Sequence, residues 1–267
     1  MAKHGWNVVV RNHRGLGGVA ITSDCFYSGG WTEDARKVLD HLHCQYPDAP
    51  LFVVGTSIGA NILVKYLGED GINVPIVGAA AIFGLFSYFF QICDRFMARR
   101  LVQRFYNKAM TIGLKNYAYV HKALLSRLSN WEGVRKSRWI REFGDCATRI
   151  LGNFEVLNLD CGYILDTYYR RCSSANFVGS VMVPLICVSS LDDPICSSEA
   201  IPGDECRCII SFLQSVEGMK VVLKLEEEIQ NLHRNWEAQY THSAMLSVED
   251  QQKERTFQKF LTMVSIL

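Results

Sequence analysis

Five residues, Gly55-Thr56-Ser57-Ile58-Gly59, separate the wholly apolar run Leu51-Phe-Val-Val54 from the apolar stretch Ala60–Leu67. The first run is short, β-branched and aromatic, the pattern of a strand buried on both faces, and the second has the length and spacing of a helix ending at Gly68. A connection this short turns a strand directly into a helix, and a strand with no polar face must lie inside a covered sheet. The alternation recurs along the chain. Trp6-Asn-Val-Val-Val10, Gly78–Phe83 and Pro184-Leu-Ile-Cys-Val188 read as further strands. Trp31 to His43 carries Ala35, Val38, Leu39 and Leu42 at helical intervals, with Thr32 or Ser28 as the cap. An α/β fold with a mostly parallel sheet and flanking helices is expected.

The charge balance, 28 Lys+Arg against 27 Asp+Glu in 267 residues, lacks the basic excess that nucleic acid demands, so no nucleic-acid partner is expected. Ten cysteines without a CxxC pair point to reduced thiols and an intracellular setting, cytoplasmic or organellar, rather than a disulfide scaffold. No secretory signal precedes Trp6, and a chain that opens on a core strand is expected to be part of a longer unit. The uncharged stretch between Asp70 and Asp94 is long enough to span a bilayer, but Pro75, Asn73 and the small residues Gly78-Ala-Ala-Ala81 favour a buried strand followed by an aromatic loop. From Asp94 to Arg149 the chain is helix-prone and basic, with Arg95, Arg99, Arg100, Arg104, Lys108 and Lys115 read as a solvated helical face. Past Arg207 the character changes. Val222, Leu225, Ile229 and Leu232 fall at the spacing of a helix that packs on another helix, and Phe257, Phe260, Leu261 and Val264 at that of an amphipathic helix.

A Gly-x-Ser-x-Gly placed between strand and helix is the pattern of a nucleophile elbow, with the flanking glycines needed where strand and helix close on each other. Ser57 is the candidate nucleophile and the amide of Ile58, at the helix start, the candidate oxyanion donor. In such folds the acid and then the histidine follow in the chain. Asp193 stands in the loop after the Pro184–Val188 strand, with Asp192 as its rival and an Asp-Pro turn as the bland alternative. Of seven histidines only His233 and His242 follow it; His242, outside the charged helical stretch, is the candidate base, although neither is flanked by glycines. Gly15-Leu-Gly17-Gly18-Val-Ala20 formally fits a dinucleotide fingerprint but opens no helix. No Walker A sequence, HExxH or zinc-type Cys/His spacing occurs, so neither cofactor nor metal is expected.

Asn12-His13-Arg14-Gly15 after a strand, Gly55-Thr-Ser-Ile-Gly-Ala-Asn-Ile-Leu-Val-Lys-Tyr-Leu-Gly68 and Ser190-Leu-Asp-Asp-Pro-Ile195 with Glu199-Ala-Ile-Pro202 together resemble the α/β-hydrolase-domain esterase and lipase family, in the branch that includes the embryogenesis-associated proteins of plants. The resemblance runs from about Gly5 to Arg207. It implies an α/β-hydrolase fold, Ser57 as nucleophile, Asp193 as acid, and activity on carboxylic esters, short acyl or monoacylglycerol-like lipids, which brings association with membrane surfaces as a further expectation. It also implies a helical lid over about 86–176 within a hydrolase core of 1–207, followed by a divergent helical tail over 208–267.

The chain departs from that pattern in three places. Where the family carries Gly-Gly-His after its acid, this chain reads Val221-Val222. The family's oxyanion loop lies upstream of Trp6, so the second oxyanion donor is expected to be missing, and its strand with it. That strand belongs between those at Trp6–Val10 and Leu51–Val54, so a gap inside the sheet, or an altered pairing, is expected. Leu157–Leu165 reads as an added apolar segment. The expectation is a serine ester hydrolase impaired by these losses; the second reading is a non-catalytic remnant that binds a partner through its tail helix.

Overall fold

The structure, a computed structural model, describes residues 6–18, 20–26, 28–82, 101–148, 164–190, 193, 195, 210–215 and 259–264. Among the described residues six strands form one sheet: β1 (Trp6–Val10), β2 (Leu51–Thr56), β3 (Gly78–Ile82), β4 (Leu185–Ser190), β5 (Ile210–Ser215) and β6 (Lys259–Val264). Their order is β1-β6-β2-β3-β4-β5 and every pairing is parallel. The expected parallel α/β sheet is therefore present, with the serine elbow at the end of an inner strand.

The alternation of side chains along the strands divides the core in two. Val53, Ala79, Ala81, Leu185 and Cys187 face the helices α1 (Glu33–Gln45) and α2 (Ile58–Asp70), which contribute Leu39, Leu42, Leu63, Val64 and Leu67 to the same cluster. Phe52, Val54, Ala80, Ile82, Ile186 and Val188 point to the opposite face, where Trp6 meets Phe52 edge-on with ring centroids 5.7 Å apart. Complete burial of β2 and β3 explains why neither carries a polar residue in its buried stretch.

Several sequence expectations are corrected. The helix after the elbow continues through Gly68 to Asp70, and the left-handed cap is Gly71 (φ 56°). Gly68 is instead a packing residue, since a Cβ there would collide with the carbonyl oxygen of Phe177. Thr32 occupies the N-cap of α1 without a capping side-chain bond; its hydroxyl donates to Glu69 Oε2 (2.6 Å) and ties α1 to α2. The 208–267 region, expected to be helical, contributes two strands among its described residues, β5 and β6. The apolar residues Phe260, Leu261 and Val264 fit either period over so short a run, and parallel pairing on both sides decides for a strand. β6 also occupies the position between β1 and β2 where a gap was expected, so the sheet shows the altered pairing. The expected helix around Val222–Leu232 lies outside the described residues.

Between β3 and β4 the chain builds a helical segment: α3 (Leu101–Val120), α4 (Lys122–Leu128), α5 (Trp131–Lys136), α6 (Ile140–Phe143), a π turn (Gly144–Thr148) and α7 (Ile164–Cys172). Phe26, Ala118, Leu125, Val134, Phe143 and Ala147 give it a core separate from the sheet's two. No described helix is long and apolar enough to cross a membrane.

The loop after β1 is held by charge. Arg14 grips Asp34 with Nε and Nη2, both at 2.6 Å, and fixes this loop to the first turn of α1. Burial alone would raise the Asp34 carboxyl, but the hydrogen bonds from Arg14 and the charges of Arg14 and Arg11 hold it below its ordinary value. His13 is buried in the same cluster, with Arg11 Nη1 3.3 Å from its Nδ1. Burial first, and the Arg11 charge second, depress the imidazole to about 3 from 6.5, so it stays neutral in the fold. An unfolded chain takes up a proton below pH 6.5 that the folded His13 refuses. Stability from this group is thus complete above that pH and declines as the pH falls toward 3. Urea unfolding between about pH 7 and about pH 5 should show a His13→Gln variant losing stability less steeply than the wild type, by up to ~1 kcal/mol per pH unit.

Candidate active site

Ser57 is the single non-glycine residue with positive φ among the described residues, at φ 52° and ψ −124°. That is the first inner position of a mirror-image turn, a conformation glycine ordinarily holds and which strains an L side chain by about 1–3 kcal/mol. Three contacts hold it there. The Ser57 amide donates to the carbonyl of Ile82 at the end of β3 (3.0 Å), and the Ser57 carbonyl accepts from Ala60 N (3.0 Å) and Asn61 N (3.4 Å) in the first turn of α2. Gly55 lets the helix lie directly on the strand: a Cβ there would stand 2.6 Å from Gly59 O and 2.8 Å from Ala60 Cα. Ser57 itself is exposed, while Gly55, Gly59 and Ala60 around it are buried. The residue sits at the positive end of the α2 dipole, and Ile58 is the first helical residue, whose amide has no intrahelical acceptor by the geometry of any helix.

Asp193 follows β4 on the same edge of the sheet, since β2, β3 and β4 run parallel with Thr56 level with Ile82 and Ile82 level with Val188. One strand, β3, separates the two, which puts the β2 and β4 axes about 10 Å apart. The Asp193 carboxylate accepts from Ile195 N through Oδ1 (2.7 Å), closing a turn after the strand. Asp192, His233 and His242 lie outside the described residues. Of the described histidines, His41 and His43 are exposed on α1, His13 is the neutral buried group above, and His121 bonds the Gly15 carbonyl through Nε2 (2.8 Å). The Gly15–Ala20 stretch makes turns, with Gly15, Gly17 and Gly18 all at positive φ, and opens no helix. No cluster of His, Cys, Asp and Glu suited to a metal ion is found among the described residues.

The sequence reading missed Asn61, four residues after the serine and 3% exposed. Its Nδ2 donates to the carbonyls of Gly29 (2.7 Å) and Cys172 (2.8 Å), and its Oδ1 accepts from Ser174 N (2.9 Å). It thereby joins the helix behind the serine to the 28–30 turn and to the end of α7. Tyr168 adds a second tie, its hydroxyl accepting from Gly29 N (3.2 Å). Cys172, buried in this joint, has its thiol pushed up to about 12 by burial and is not a nucleophile. The signal was available: one asparagine inside Ala60-Asn-Ile-Leu-Val64 is a polar residue on a helix with no polar face to spare.

Comparison with known proteins follows this geometry. The profile of the family described as serine aminopeptidase, S33, matches residues 1–161. The embryogenesis-associated protein EMB8 of Picea glauca is 32% identical over 209 residues, 77% of this chain and 44% of that protein. Phospholipase ABHD3 of Homo sapiens is 29% identical over 198 residues (74% and 46%), and the monoacylglycerol lipase of Saccharomyces cerevisiae 27% identical over 213 residues (77% and 44%). The chain spans about half the length of the curated relatives it matches. Among solved structures, a thermophilic esterase from Thermogutta terrifontis aligns with a TM-score of 0.45 at 10% identity, over 86% of this chain and 91% of that one.

The elbow geometry makes opposite demands at two neighbouring positions. Gly55→Ala should cost about 1–3 kcal/mol by forcing α2 off β2. Ser57→Gly should raise stability by up to about 1 kcal/mol, relief of strain outweighing the entropy glycine loses on folding. Thermal or urea unfolding of the two variants checks both signs.

Proposed function

The chain belongs to the serine aminopeptidase S33 family of α/β hydrolases, and from that membership we propose that it is a serine hydrolase of carboxylic esters, acting on short-chain acyl or monoacylglycerol-like substrates. The observation that carries this reading is the strained, exposed Ser57 at the C-terminal end of an inner parallel strand, where open α/β sheets gather their catalytic groups. Residues 1–207 are read as the hydrolase unit, with the helical segment over about 86–176 as its lid. The names of the lipid-hydrolysing relatives support the ester chemistry and the lipid-like substrate.

In the proposed reaction Ser57 Oγ attacks the acyl carbon while a histidine takes its proton, and the negative charge that develops on the carbonyl oxygen meets the amide of Ile58. The histidine returns the proton to the leaving alcohol, and water then releases the acid by the same steps in reverse order. Asp193 orients and stabilises the imidazolium. A separation of one strand between the serine and acid strands suits an imidazole reaching in from a third segment, and the base is assigned to His242. Without the family's Gly-Gly-His after Asp193 to carry that base, turnover is expected to be low.

A fluorophosphonate probe tests the nucleophile: the wild type should label and Ser57→Ala should not, while a folded wild type that refuses the probe overturns the reading in favour of a non-catalytic protein. Hydrolysis of p-nitrophenyl butyrate and of a monoacylglycerol tests the base separately. His242→Ala should reduce kcat by about 10³ or more and His233→Ala should leave it unchanged; equal turnover in both variants removes the tail from the site.

A further inference from the structure

The turn Ser28–Gly30 is held between α2 and α7 by hydrogen bonds to main-chain groups, and Asn61 stands at their centre. Both protons of its Nδ2 are used, toward the carbonyls of Gly29 (2.7 Å) and Cys172 (2.8 Å), while its Oδ1 accepts from Ser174 N (2.9 Å). All three partners belong to the backbone, so the amide has one orientation: exchanging its oxygen and nitrogen would set the oxygen against two carbonyls. Gly29 is fixed at its other polar group as well, its N–H donating to Tyr168 Oη (3.2 Å). One turn further along α2, Lys65 Nζ donates to the Gly30 carbonyl (3.0 Å), so two residues on one face of the helix grip the same turn.

The first turn of α2 needs such an anchor because its own backbone closes it weakly. The Ser57 carbonyl is shared, accepting from Ala60 N at 3.0 Å and from Asn61 N at 3.4 Å, so the bond from residue i+4 that ordinarily fixes a helix start is stretched. The amides of Ile58 and Gly59 have no acceptor within the helix. Anchoring through the Asn61 side chain therefore sets where this turn lies. The Ser28–Gly30 turn that it grips also packs on the residue next to the serine, since a Cβ at Gly29 would be 3.7 Å from Ile58 Cδ1. Loss of the Asn61 amide would strand three buried main-chain groups, the Gly29 and Cys172 carbonyls and Ser174 N.

We propose that Asn61 is a positioning residue for the serine site: its side chain holds the first turn of α2, and with it the Ile58 amide, where the charge developing on an acyl oxygen is met. The role rests on the hydrolase reading above and adds to it a residue that touches no substrate. A reacting or donor group misplaced by about 1 Å can lose about a hundredfold in rate. That loss falls on kcat, because the amide is placed for the oxyanion of the transition state and not for the ground-state carbonyl. An ionised aspartate cannot replace Asn61, having no proton to give to the Gly29 and Cys172 carbonyls.

Turnover of p-nitrophenyl butyrate, the rate of fluorophosphonate labelling and thermal unfolding are compared in the wild type, Asn61→Ala, Asn61→Asp and Leu39→Ala, the last removing a fully buried side chain of α1 outside the serine turn. Both Asn61 variants should lower kcat and the labelling rate together by about tenfold to a hundredfold, with KM within about twofold of the wild type. Leu39→Ala should lower Tm and keep the wild-type kcat. Where the Asn61 variants do not fold, Tyr168→Phe, which takes the acceptor from Gly29 N alone, should lower kcat by about threefold to tenfold at unchanged KM, and a wild-type kcat there overturns the proposal. So does a wild-type kcat in a folded Asn61 variant, a loss confined to KM, or an equal loss of kcat in Leu39→Ala. A wild type that neither turns over nor labels is a failure of the hydrolase reading, and hydrogen exchange then decides for Asn61. The amides of Ser57 and Ala60 should exchange at least about tenfold faster in Asn61→Ala than in Leu39→Ala, and equal rates overturn the positioning role.

Discussion

Direct contact between α2 and β2 at Gly55 is the constraint on which the rest of the arrangement rests. With a Cβ at Gly55 only 2.6 Å from Gly59 O, the helix and the strand have no room for any side chain between them, and the single residue Ser57 that joins β2 to α2 has one way to turn. That turn forces Ser57 to positive φ, and its strain is held by the amide bond to Ile82 on one side and the first turn of α2 on the other. The burial of β2 and β3 is what makes those restraints stiff. A half-exposed sheet would let Ile82 move and the serine relax into an ordinary turn.

The parts of the fold legible in the sequence are those in which local pattern and tertiary context agree. Leu51–Val54, Gly78–Ile82 and Leu185–Val188 are short apolar runs without polar residues, and all three are inner parallel strands. The α1 helix announced itself by its spacing. Gly68 was misread because a glycine after an apolar helical run ordinarily ends it, and its real cause, a carbonyl from residue 177 against the helix, is more than a hundred positions away in sequence. β6 was misread for a related reason. Phe260, Leu261 and Val264 satisfy a helical period over a few residues, and only pairing with β1 and β2 favours a strand.

The candidate site divides in the same way. Ser57 and Ile58 belong to one contiguous segment whose neighbours on both sides are regular elements, so composition alone locates them. Asp193 depends on where β4 ends and on which residue of Asp192-Asp193-Pro194 turns inward, and its Oδ1 bond to Ile195 N is a turn interaction that a sequence pattern of Asp-x-x cannot separate from a catalytic one. Asn61 is the opposite case. Its three bonds, to the carbonyls of Gly29 and Cys172 and from Ser174 N, reach segments distant in the chain, and the only trace in the sequence is a polar residue where burial permits none without partners.

The helical segment is joined to the sheet layer in a manner unlike its own interior. Phe26, Ala118, Leu125 and Val134 pack in a core of their own, whereas the ties to the serine edge are hydrogen bonds to backbone groups of loops: Tyr117 to Arg14, His121 to Gly15, Tyr168 to Gly29, Asn61 to Gly29 and Cys172. Each such bond contributes about 1 kcal/mol net, and Phe26 with Ile21 carries the loop after β1 into the segment's own apolar core. The serine elbow takes its own support from Ile82 of β3 and the first turn of α2, and Asn61, bonded to the Cys172 carbonyl, is where the helical segment meets that support.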